Sequence, residues 1–174
     1  MEDNEMPVIP TTLRAAILLL ACSTAAHAQE ATDQPQPPLW IIACSNENNP
    51  EELLCEFSQS IVMTAQNGQS QRVATLSFAR MAGQADTQAF LALPLEVALT
   101  DQVQISVDGS ERATLAWQSC DNSSCYATAD VDEAWLAAMR KGAEMTAQFK
   151  ARDQREVNFG FQLRDFLRTE QMLP

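Results

Sequence analysis

From Val103 to Trp117 the chain reads VQISVDGSERATLAW, and its apolar residues fall on alternate positions: Val103, Ile105 and Val107, then, past Asp108-Gly109, Ala113, Leu115 and Trp117. Successive side chains of an extended strand point to opposite faces, so this period of two belongs to a half-buried strand and not to a helix. Asp-Gly between two such runs is a hairpin signal, because the tightest hairpin turns need positive φ at both central residues. The alternation returns at 39–44, 56–64, 71–80, 88–93, 125–129, 144–151 and 156–163, the last run carrying Val157, Phe159, Phe161 and Leu163 on one face. Connections this brief favour antiparallel neighbours. The expected fold is all-β and mainly antiparallel, a sandwich or barrel-like single domain of about eight or nine strands.

One stretch breaks the alternation. In DVDEAWLAAMRKG, Asp130 or Asp132 can cap a helix whose stripe of Trp135, Leu136 and Met139 faces the core. Arg140 and Lys141 suit the negative end of its dipole, and Gly142 suits the position just beyond. A second short helix is expected after Leu163, where Phe166 and Leu167 continue a helical spacing. Trp40 and Trp117, at strand positions, are read as core in the same way.

The first residues set the expected compartment. LRAAILLLACSTAAHAQE has one positive charge at Arg14, an apolar centre from Ala15 and a small-x-small ending at Ala26-His27-Ala28, the layout of a secretory signal peptide over 1–28. Its apolar run is about a dozen residues, against roughly 20 for a membrane span, and no later run is longer. A competing reading takes LLAC at 19–22 as a lipobox with Cys22 lipidated, which leaves a shorter apolar core. The acids Glu2, Asp3 and Glu5 are unusual in a leader and point to a start further along the chain. Residues 29–38, QEATDQPQPP, are polar and proline-rich and read as a flexible tether, with one domain over 39–174.

Charge excludes whole classes of partner. The chain holds 23 acidic and 11 basic residues; without the leader's Glu2, Asp3, Glu5 and Arg14 the balance is 20 against 10, a net charge of −10. Nucleic acids and anionic membranes are bound largely through Lys and Arg, so neither is an expected partner. The single histidine, His27, leaves with the leader. The partner expected is a protein or other component of the cell envelope, in an oligomeric state the sequence leaves open.

Four cysteines remain after cleavage, Cys44, Cys55, Cys120 and Cys125, and an even number in an exported chain reads as two disulfides. Of the three possible connectivities, local pairing of Cys44 with Cys55 and Cys120 with Cys125 is favoured, since each pair is short in sequence and flanks a strand end. Loops of that size stabilise by roughly 2 to 3 kcal/mol each on the loop-entropy account. Zinc would need paired close cysteines or histidines, and a thiol oxidoreductase would need Cys-x-x-Cys at a helix N-terminus; neither is present.

The order of motifs carries a resemblance. LWIIACSN, then LLCEFSQSIV, LALPLEVALTDQVQISVDG, LAWQSCDNSSCYATADVDEAWLAAMRKG and VNFGFQLRDFLRTEQML are similar to the invasion-associated locus B protein family of alphaproteobacteria, from Trp40 to about Gln171. The matching features are Trp40 before the first cysteine, Cys-Glu-Phe-x-Gln at 55–59, Leu93-Pro94-Leu95, Val107-Asp108, the paired cysteines with Ala127 after them, and Leu163 with Phe166. Three glycines of the family pattern are replaced here, by Glu96, Ser124 and Asp165, each of which alters a turn and not a catalytic group. The resemblance implies a small exported envelope protein, secreted or periplasmic, with a β-rich fold and structural disulfides. It assigns no catalytic residues, and an invasion role is not carried over, since many members belong to free-living bacteria.

The residues agree with that silence. No base is present to activate a serine or cysteine nucleophile, and Lys141 and Lys150, the only lysines, follow no nucleophile motif. Asp130, Asp132 and Glu133 read as helix caps and a solvated face, and the acids of 121–133 lack calcium-loop spacing. No catalytic residue, cofactor or metal site is expected, and the leading function is a non-enzymatic binding or structural module in host or envelope interaction. The alternative is a carboxylate-dependent hydrolase of envelope polysaccharide, which needs two acids across a cleft. The intact mass of protein exported by a Gram-negative host is expected to match a chain starting at Gln29. Alkylation should find no thiols before reduction and four after, and a lipidated Cys22 or free thiols at Cys120 and Cys125 would contradict this reading.

Overall fold

A computed structural model describes residues 37–46 and 52–173. The signal-peptide and lipobox segment and the tether up to Gln36 lie outside the described residues, as do 47–51 and Pro174. The elements are β1 (Ile41–Ser45), β2 (Leu54–Thr64), β3 (Ser70–Met81), β4 (Thr87–Leu93), β5 (Val103–Val107), β6 (Ser110–Cys120), β7 (Cys125–Val131), α1 (Glu133–Lys141), β8 (Glu144–Lys150), β9 (Glu156–Gln162) and α2 (Phe166–Glu170). The nine strands form one sheet in the order β1-β2-β3-β4-β7-β6-β5-β8-β9, antiparallel throughout. This is the all-β antiparallel class read from the alternation, built as a single sheet curled into a half-barrel. Bulges at Ile61/Val62, Ile105/Ser106 and Trp117/Ser119 add local bend and twist to the strands that carry them.

The hairpin between β5 and β6 turns on Asp108 and Gly109, both at positive φ (48° and 77°). Asp108 does more than turn: its carboxylate accepts backbone N–H bonds from Ala143 (3.1 Å) and Glu144 (3.0 Å), fixing the hairpin tip to the connection between α1 and β8. The N-cap of α1 is Asp132, which accepts from Trp135 N at 2.7 Å, while Asp130 belongs to β7. Gly142 follows the helix in an extended conformation (φ −78°, ψ 163°), not the left-handed one usual for a terminating glycine. Its glycine character has another cause. A Cβ there would lie 2.6 Å from Val107 Cγ1 and 3.0 Å from the Ala138 carbonyl oxygen.

The concave face buries Leu76, Leu91, Ile105, Leu115, Met145 and Phe161, and α1 adds Trp135, Leu136 and Met139. At its centre Trp40, Phe57, Phe78 and Phe166 contact one another in all six combinations, with centroids 5.2–6.1 Å apart. Such ring pairs add about 0.5–1.5 kcal/mol each beyond the area they bury. Trp40 precedes β1 and Phe166 opens α2, so this cluster joins the two ends of the described chain to β2 and β3.

A second closure is polar. Gln59 of β2 is only 7% exposed; its Nε2 donates to the Gln162 carbonyl (2.9 Å) and its Oε1 accepts from the Gln162 N–H (2.8 Å). One side-chain amide thus satisfies both backbone groups at the end of β9, an edge strand that has ladder bonds only to β8 among the described residues. Gln59→Ala removes both bonds and leaves a void beside them, so the urea midpoint should fall by the equivalent of about 1–3 kcal/mol. An unchanged midpoint would show that the clasp is not holding the sheet closed.

Candidate functional site

The four cysteines come together in two pairs. Cys44 stands opposite Cys55 in the β1–β2 ladder and Cys120 opposite Cys125 in the β6–β7 ladder, with Cα atoms 4.1 and 4.0 Å apart, and each pair is joined by a disulfide. In the disulfide form these sulfurs offer neither a nucleophilic thiolate nor a metal ligand. Between Cys120 and Cys125, the Asp121 carboxylate accepts from Ser123 N (2.7 Å), Ser123 Oγ (2.8 Å), Ser124 N (2.8 Å) and Tyr126 OH (2.8 Å). The loop is therefore a turn organised around one carboxylate. Its two backbone donors, chiefly, hold Asp121 well below the usual aspartate range, and the Ser123 and Tyr126 hydroxyls add to the effect.

The acids singled out from the sequence part company. Asp132 caps α1, Glu133 pairs with Arg140, and Asp130 stands on the outer face of β7, where Gln88 Nε2 donates to it at 3.3 Å. A fourth acid, Glu170, is only 4% exposed and is the one buried carboxylate among the described residues. Arg140 grips it through Nε and Nη2 at 2.7 and 2.6 Å, and Arg80 approaches to 3.5 Å while donating from Nε to Thr87 Oγ1. The hydrogen bonds that Arg140 donates to Glu170 and then to Glu133 raise its pKa further still, so its charge is permanent. A carboxylate held this way is a strut between α1, α2 and β3, with no lone pair directed at a substrate.

A concavity lies on the other side of the sheet, across β2, β3, β4 and β7. It measures about 730 Å³, within the 300–1,000 Å³ usual for ligand sites. Register builds it: Leu54 faces Met81 across β2 and β3, and Gln88 faces Asp130 across β4 and β7. Within β4 the buried phase is Thr87, Ala89, Leu91 and Leu93, so Phe90 on the opposite phase points out. Leu54 is 44% and Phe90 37% exposed. Glu56, Asp86 and Asp130 contribute three carboxylates to the lining, which holds no Lys or Arg among the described residues. All three are exposed. The acids of this groove are spread along strands and a turn, and no cluster of three or more metal-ligating side chains occurs among the described residues.

A model of the invasion associated locus B (IalB) protein family matches residues 40–171. The chain belongs to this family. Its fold is shared with the crystal structure of invasion associated protein b from Bartonella henselae, at a TM-score of 0.65 and 17% identity over 76% of this chain and 88% of that one. Among curated proteins, none matches by sequence.

The features that carry the IalB likeness map onto the fold. Trp40, Phe57 and Phe166 are three of the four central rings, and Gln59 is the clasp on β9. Leu93, Ala127 and Leu163 are core, and Asp108 fastens the hairpin. Glu56, exposed on the outer face of β2, and Leu95, 46% exposed, are exceptions. Of the three positions where the family pattern has glycine, only Asp165 has positive φ (65°), at the entry to α2. A side chain there is strained by about 1–2 kcal/mol relative to glycine, less for an aspartate than for most residues. Ser124 sits in the Asp121 turn, and the Glu96 carbonyl accepts from Arg152 N at 2.9 Å.

Sequence reasoning did not find the groove. The signal available was phase: in TQAFLAL the phenylalanine falls on the same side as Gln88, which marks it as outward. Leu54 stood just before the run read as a strand.

The Asp121 shift can be measured directly. Because its folded value lies below the unfolded value of about 3.9, its contribution is complete above that pH and is lost only as pH falls through the folded value. Carbon-detected NMR should show the Asp121 carboxyl titrating well below the other exposed aspartates, and Tyr126→Phe should raise it. An ordinary midpoint would mean that the turn is not ordered in solution.

Proposed function

We propose that this IalB-family protein is exported by its leader and works in the periplasm or outside the cell as a binding module of the envelope, in host or envelope interaction, without catalysing a reaction. The observation that carries the reading is the division of labour between the two faces of the sheet. Most of the family features are spent on rings, clasps and staples, and Glu170, the one buried carboxylate among the described residues, is neutralised by arginines. What remains outward is a shaped surface with little reactive chemistry. Two disulfides fit an oxidising compartment, and among the described residues no helix is long and apolar enough to cross a membrane. A leader over 1–28, a tether over 29–38 and one domain over 39–174 complete the proposed organisation.

The second reading, a carboxylate-dependent hydrolase, is favoured by one fact: Glu56, Asp86 and Asp130 line a single groove. Against it, a glycosidase needs a desolvated acid that stays protonated near neutrality, and all three are exposed. Purified exported protein is expected to turn over no member of a glycan and ester panel faster than a Glu56→Gln/Asp130→Asn double variant. Photo-crosslinkers placed along the outer face in intact envelopes should give one discrete adduct. Turnover abolished by the double variant would replace binding with catalysis, and a chain that gives no adduct from any outer position would remove the binding reading.

A further inference from the structure

We infer that the groove across β2, β3, β4 and β7 is a docking site for an extended, cationic peptide segment carrying apolar anchor side chains, a proposal that rests on the binding-module reading above. Two independent features choose this occupant. The first is shape and polarity: Leu54, Met81 and Phe90 leave the sheet on its solvent side and form an apolar floor with Ala79, where alternation would ordinarily put polar groups. Outward apolar side chains on neighbouring strands lose free energy to water unless a partner covers them. Scattered single residues need no explanation; these share one concavity.

The second feature is charge. Glu56, Asp86 and Asp130 line the same groove and no Lys or Arg among the described residues does, so the floor lies in a negative field. Arg80 lies on β3 between the lining residues Ala79 and Met81, and its guanidinium is turned to Glu170 and Thr87 on the other side of the strand. An acidic segment or nucleic acid would be repelled and a purely apolar one would leave the carboxylates without counter-charges. A segment bearing Lys or Arg on either side of an aromatic or aliphatic residue satisfies both. The Gln88 side chain, bonded to Asp130, offers a further polar edge.

The test uses the full exported chain and two fluorescent peptides of equal length, each with two phenylalanines, one flanked by lysines and its twin by glutamates. The lysine peptide should bind and the glutamate twin should not, with affinity falling as salt rises. Phe90→Ser, at an exposed position that keeps the urea midpoint, should weaken binding by about tenfold or more. Glu56→Gln and Asp130→Asn should each weaken it by roughly two- to fivefold and flatten the salt dependence. Amide shifts on binding should centre on Leu54, Met81, Gln88, Phe90 and Asp130. The assignment is overturned if both peptides bind alike, if neither binds, if shifts map elsewhere, or if Phe90→Ser changes nothing. It is also overturned if the free chain self-associates in a way that Phe90→Ser abolishes, because the groove would then be covered by a second copy. Any of these results alongside a discrete envelope adduct removes only the groove assignment, whereas turnover lost in the double variant removes the binding-module reading itself.

Discussion

Four aromatic rings hold the ends of this chain to its middle. A sheet of nine strands in the observed order leaves β1 and β9 as free edges and a concave face that must be dried. Trp40, Phe57, Phe78 and Phe166 do that where the chain enters and leaves, each touching the other three. The indole N–H groups of Trp40 and Trp135 are buried with no acceptor among the described residues, a cost of about 1–3 kcal/mol each that ring burial must outweigh. The clasp of Gln59 on Gln162 and the grip of Arg80 and Arg140 on Glu170 then secure the curl with directional bonds that the rings cannot supply. Apolar contact sets where the limbs meet, and these polar contacts set how they are oriented.

Much of this architecture was legible in the alternation of the sequence. Each of the nine runs became a strand within a few residues of its expected limits, Asp108-Gly109 made the hairpin, and Trp135, Leu136 and Met139 faced inward from α1. Period two works here because antiparallel strands with one solvated face must alternate. What the pattern could not convey were facts of register and closure. Nothing in CEFSQ says that Gln59 will meet Gln162, a residue 103 positions away. Gly142 read as a helix terminator and proved to be a point of close approach to Val107, which no local signal encodes. The helix-flanking acids looked alike in sequence, yet a cap, an ion pair and a groove lining came of them, because position in the sheet decides what a carboxylate meets.

The groove was hidden for a related reason. An apolar residue on the outward phase of a strand is visible as a single exception, but only pairing across β2, β3, β4 and β7 turns separate exceptions into one surface. Composition spoke only of the whole chain: an acidic balance does not say which acids share one surface, and Glu56, Asp86 and Asp130 do.

The disulfides and the aromatic cluster act over very different lengths of chain. Each disulfide joins residues directly opposite in a ladder, 11 or 5 positions apart, so it locks the register of one local pairing and shortens no distant search. The ring cluster, by contrast, lacks a member until residue 166 exists. Partial chains emerging from a ribosome can form hairpins and still have no finished core. A core that waits for Phe166 cannot close while the strands before it are being made, so those strands stay extensible until the fourth ring arrives.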